Sequence, residues 1–169
     1  MRIAAAPFIA ALAFPAVAGA LDRSPERYDE TVNPALQQVG SDLHVQQTSC
    51  ATGAHCRFAA RQVVIDVTGP ADRPATERIV VTAMFPRDDD GAASGLIEDT
   101  LSVLGATMVA YDPGMAANRR GELLLELGEA ALSVGEAHRD SADMHYSLAF
   151  DDVSGRLEIT AATIRAGHR

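Results

Sequence analysis

Two cysteines and five histidines are the side chains of this chain best suited to redox, metal or nucleophilic chemistry. Cys50 and Cys56 flank Ala51-Thr52-Gly53-Ala54-His55, a segment that reads as the tip of a hairpin. Facing positions on paired strands hold their β-carbons about 4.5–5.5 Å apart, close to disulfide reach. In an exported chain two such cysteines are expected to pair, and closing so short a loop contributes about 3 kcal/mol or less. The alternative is a metal site built from His44, Cys50, His55 and Cys56, which have the soft ligands that copper or zinc takes. Their spacing matches no common zinc pattern. There is no Cys-x-x-Cys for thiol redox work.

His138 and His145 are the candidate bases. A nucleophilic triad needs a Ser or Cys, a His and an orienting acid. Ser147 lies two residues beyond His145, but the chain has no Gly-x-Ser-x-Gly elbow. Strand alternation points His145 and Ser147 away from the core, toward solvent. Glu98-Asp99 and Asp151-Asp152 are sequence neighbours that do not share a face, so neither makes an acid–base pair for glycoside cleavage. Asp88-Asp89-Asp90-Gly91 resembles the middle of a calcium loop. Pro86 and Ile97 then stand where the first and twelfth ligands belong, and neither can bind calcium. The run is expected to be a solvated turn, and no cofactor or resident metal is expected.

The elements that would position these residues follow from periodicity. Leu21 to Gly40 reads as a helical lead-in, with Ser24 as cap, Pro25 at the first helical position and Pro34 starting a second short helix. Leu43–Cys50 and Cys56–Gly69 read as two antiparallel strands. Val63, Ile65 and Val67 face one way, and a bulge is expected near Arg61-Gln62 because Phe58 is out of phase with them. Arg78–Phe85 is a third strand. Ser94 is expected to cap a helix running to about Ala110, whose core stripe is Ile97, Leu101, Leu104 and Met108. Asp112-Pro113 reads as the start of a second helix that sends Leu123, Leu124 and Leu127 inward. It is expected to end at Gly128, with Gly135 as the alternative. Glycines 114, 121, 128 and 135 recur every seven residues, and read as caps and chance in a Gly-rich chain in preference to a close-packed seam. Met144–Phe150 and Leu157–Ala161 complete the set.

The expected fold is therefore α+β: a small antiparallel sheet of about five strands, three then two, with helices on one face. The order of elements resembles that of the type III secretion chaperone-like fold. The resemblance lies in topology alone, and the closing helix of that fold has no counterpart here. Those chaperones are cytosolic, so no function comes with it. The second sheet face would carry Asp66, Thr68, Thr82, His145, Ser147 and Glu158 with Val64 among them. It is expected either to receive a partner or to lie under the N-terminal helices.

Residues 1–20 read as a cleavable signal peptide. Arg2 is followed by an uncharged, Ala-rich run, and Ala18-Gly19-Ala20 is a small-x-small cleavage site. Pro7 and Pro15 break the run, which is too short and too alanine-rich for an anchor. Residues 21–169 are then one α+β domain, expected to be periplasmic or secreted. The charge balance is 14 basic residues against 23 acidic, a formal net charge of −9. Every basic residue is Arg. An acidic chain with no basic stripe repels phosphate backbones and anionic lipid, which excludes nucleic acid and, after cleavage, membrane as expected partners. The expected function is a non-enzymatic protein-interaction or binding module. The alternatives are a small exported hydrolase with a site built from distant residues, and a metal-handling protein using the Cys50/Cys56 hairpin.

Overall fold

The computed structural model describes residues 23–51, 53–86 and 90–164. The leader and most of the Asp88–Asp90 run lie outside the described residues. A single 3-10 turn, Pro25–Arg27, leads into α1 (Tyr28–Gln38). Four strands follow: β1 (Gln46–Ala51), β2 (His55–Ala60), β3 (Val63–Thr68) and β4 (Arg78–Met84). Then come α2 (Asp90–Tyr111) and α3 (Ala117–Val134), and the closing strands β5 (Glu136–Asp140), β6 (Met144–Asp151) and β7 (Arg156–Thr163). All seven strands form one antiparallel sheet in the order β1-β2-β3-β4-β7-β6-β5.

The sheet is thus larger than the expected five strands, and the strands divide four and three around the helices. The resemblance in element order, drawn from three and two, does not describe it. Two local features account for the difference. At Arg61-Gln62 the chain turns back instead of bulging: Ala60 pairs with Val63, and Arg61 takes the left-handed conformation at φ 51°. Such a φ is uncommon outside glycine. Here the Arg61 guanidinium is tied to Asp42 at 2.7 Å and Asp99 at 2.9 Å, which anchors the turn to the neighbouring elements. The irregularity in register falls instead in β1, between Gln47 and Ser49. The second feature is at Gly135. The helix expected to end at Gly128 continues to Val134 and is capped by Gly135 at φ 83°, after which Glu136–Asp140 adds an edge strand.

Helix starts differ as well. α2 begins at Asp90, ahead of Ser94, and the N-cap position of α3 is Ala116. Asp112 belongs to the turn between them, where its carbonyl accepts from the Met115 amide. α1 continues through Pro34. The Asn33 side-chain amide donates to the Val45 carbonyl and accepts from the Val45 amide, fixing the chain as it enters β1. The glycine recurrence is not a seam, since a β-carbon placed at Gly114, Gly121 or Gly128 would meet nothing within 4 Å.

The core fills one face of the sheet. Phe58, Ile65, Val81, Ile159 and Tyr146 point into it and are buried against all three helices. α1 packs along α2, and α3 lies over β5 and β6. Tyr28 of α1 fits between Phe58 and Tyr111 with ring centres 5.2 and 5.8 Å away, and its hydroxyl meets that of Thr107 at 2.7 Å. Burial raises the Tyr28 hydroxyl far above its ordinary value, so it stays protonated. The N-terminal helix therefore sits on the same face as α2, and the opposite sheet face has no helix over it among the described residues. No described helix is long and apolar enough to cross a membrane.

Candidate functional site

α2 carries apolar residues on two sides. Leu96, Val103, Leu104 and Met108 are buried against the sheet and α1. Ile97 and Leu101, expected in the core, are 47% and 39% exposed. They belong to a different row, Ile97-Leu101-Gly105-Val109, whose spacing of four keeps it along one side of the helix. That row is the floor of a groove of about 710 Å³. Val39 at the end of α1 forms one wall, and Ala117, Arg120 and Leu124 of α3 form the other. Leu124, expected in the core beside Leu123 and Leu127, is only partly buried and turns toward this groove.

The middle of the floor is Gly105. A β-carbon there would meet nothing within 4 Å, so the glycine leaves a hollow between Leu101 and Val109. At the α1 end the groove continues into a smaller hollow of about 320 Å³ bordered by Asp42, Arg61, Glu98 and Asp99. Three carboxylates against one guanidinium make that end acidic. Arg120 stands toward the other end, held by a bond to the Met115 carbonyl. The groove is a hydrophobic channel with charged ends; Ser94, Ser102 and Glu98 also line it, and no hydrogen bond among the described residues joins either serine to a base.

The cysteines and histidines lie elsewhere. Cys50 and Cys56 face each other across β1 and β2, 4.0 Å apart at Cα, and are joined as a disulfide. Their sulfurs are thereby withdrawn from the metal-site reading. His44 is exposed in the connection between α1 and β1. His55 turns to Asp66 at 3.3 Å on the open sheet face, where Arg57 also bonds Asp66 at 2.9 Å. Burial alone would raise the Asp66 carboxyl, but the hydrogen bonds from Arg57 and His55 outweigh it and hold the group below its ordinary range.

His138 and His145 do come together. Their rings stack on adjacent strands with centres 5.6 Å apart. His138 Nε2 pairs with Glu136 at 3.2 Å, and His145 Nδ1 pairs with Asp140. Ser147 stands opposite His138 in the β5–β6 register, but no hydrogen bond links it to either ring among the described residues. Both rings lie on the open sheet face and are 54% and 43% exposed, so water reaches them freely. Among the described residues no group of three or more His, Cys, Asp or Glu side chains converges as a ready metal site.

Sequence reasoning missed the groove because Ile97, Leu101, Leu104 and Met108 fit one helical stripe as well as two. A signal was present: Leu96, Val103 and Ala106 are apolar on another side of the same helix, and a helix apolar all round wants a second packing surface. It also missed the buried pair of Tyr146 and Asp112, whose hydroxyl and carboxylate meet at 3.2 Å beneath α3. Comparison with protein-family models, with curated proteins and with solved structures finds no match for the chain.

Proposed function

We propose that this chain is an exported, non-enzymatic binding module that receives a helical segment of a partner protein in the groove between α1, α2 and α3. The observation that carries the reading is the row Ile97-Leu101-Gly105-Val109: three apolar side chains around a hollow, with Ile97 and Leu101 exposed and Val109 half-buried at the edge of the core among the described residues. Twelve residues of helix rise about 18 Å, so the floor matches three to four turns of an occupant. Amphipathic helices bind such grooves by anchors at every third or fourth residue. The net charge of −9 and the carboxylates Asp42, Glu98 and Asp99 favour an occupant with basic flanks. The same charge disfavours a second copy of the chain, since like fields repel. A hydrolase reading has less support, because the histidines lie on an open face with no partnered nucleophile.

The test uses a fluorescent amphipathic peptide of about four turns, with leucines on one side and arginines on its flanks. It should bind the mature protein, and Gly105→Leu should weaken binding at least tenfold without lowering the thermal midpoint. Equal affinity for a glutamate-flanked version, or unchanged binding by Gly105→Leu, would count against the reading.

A further inference from the structure

The geometry points to a shallow site for a divalent transition-metal ion, zinc(II) or copper(II), between His138 and His145 on the open face of the β5–β6 hairpin. It lies across the sheet from the groove and is independent of it. Strand alternation brings Glu136, His138 and Asp140 to one face of the edge strand β5, and His145 stands opposite Asp140 in register. Every outward position of β5 is therefore a ligand-type residue.

The pairing within this set is specific. Each imidazole has one nitrogen on its own carboxylate: His138 Nε2 on Glu136 and His145 Nδ1 on Asp140. Metal-bound histidines commonly hold their second ring nitrogen in this way, which fixes the tautomer and raises the basicity of the other nitrogen. Here His138 Nδ1 and His145 Nε2 are left without a hydrogen bond among the described residues. The side chains are 54% and 43% exposed, so an ion reaches them from solvent. With metal–nitrogen bonds of about 2.0–2.1 Å and tetrahedral angles, the two free nitrogens must stand roughly 3.4 Å apart. The rings are centred 5.6 Å apart, and binding requires these exposed side chains to turn about their broad, soft χ2 torsions. Water completes the coordination shell, and the two carboxylates favour a cation by charge. Imidazole nitrogen selects zinc(II) or copper(II) over magnesium or calcium.

The site is tested on the mature, disulfide-intact protein by calorimetric titration with zinc chloride and by copper(II) broadening of the histidine ring signals in NMR. One ion per chain is expected, with the His138 and His145 signals broadening together before those of His44 and His55. His138→Ala and His145→Ala should each lower zinc affinity at least tenfold, Asp140→Asn should lower it less, and His44→Ala should leave it unchanged. All four positions are at the surface, so unchanged thermal midpoints separate lost binding from lost fold. No saturable zinc binding, or binding that survives His138→Ala and fails in His44→Ala or His55→Ala, would overturn the proposal. Either result leaves the groove untouched.

Discussion

At the scale of single residues, Gly105 and the Tyr146–Asp112 pair make opposite demands. Gly105 has room for a side chain and carries the entropic cost of a glycine inside a helix. Gly105→Ala should raise stability by up to about 1 kcal/mol, read as a higher urea midpoint. A glycine kept at that cost is what a hollow for a ligand requires. Asp112 is 2% exposed and has the Tyr146 hydroxyl as a donor. Burial and the nearby carboxylate raise the Tyr146 hydroxyl well above its ordinary value, so it remains a donor at every physiological pH. Tyr146→Phe should cost about 1–3 kcal/mol by leaving a buried carboxylate short of a partner. A loss under a few tenths in denaturant titration would mean that water supplies the missing bond. The cysteine pair was legible from its loop length and setting. The Tyr146–Asp112 bond joins residues 34 apart in sequence, and no local pattern announces it.

At the scale of elements, the strands with clean alternation were legible. Val63, Ile65 and Val67 in β3, and Met144, Tyr146 and Leu148 in β6, are buried as their period requires. What failed was punctuation. A two-residue turn carrying Arg in place of Gly hid the β2–β3 hairpin, and an edge strand of mostly charged residues hid β5. The β1–β2 hairpin is closed by its disulfide. With cysteines six apart in sequence, the loop-entropy relation gives about 2 kcal/mol, so reduction should lower the midpoint of guanidinium unfolding by a corresponding amount; an unchanged midpoint would show that strand pairing alone suffices. The β2–β3 pair is also the place to look for pH dependence. Asp66 titrates below its ordinary range when folded, as do Glu126, bonded by Arg119 and Arg139, and Asp151, bonded by Ser154. A lowered folded value contributes stability that is complete above the unfolded value near pH 4 and is lost as pH falls through the folded one. The thermal midpoint should therefore stay level from pH 7 to about 5 and decline below about 4. Asp66→Asn should flatten part of that decline.

At the scale of the whole molecule, one sheet face holds a three-helix layer and the other has no helix over it among the described residues, so the two candidate surfaces are separated by the sheet itself. The α+β class and the placement of helices on one face were legible from the grouping of strands and helices. The alternative in which the N-terminal helices cover the second face fails because Tyr28, Val32 and Leu36 find their burial against Phe58 and α2 instead. That choice leaves the side of α2 bearing Ile97 and Leu101 facing the gap to α3, and creates the groove. Its role is tested most directly by placing a photo-crosslinking residue at Leu101 in the full-length protein in its own cells, beside the same residue at Leu125, which is exposed outside the groove, and at Thr82 on the open sheet face. A discrete protein adduct from Leu101, absent from Leu125 and Thr82 and abolished by Gly105→Leu, is the predicted result. Equal labelling at all three positions, or none at Leu101 while Thr82 captures a partner, would contradict it.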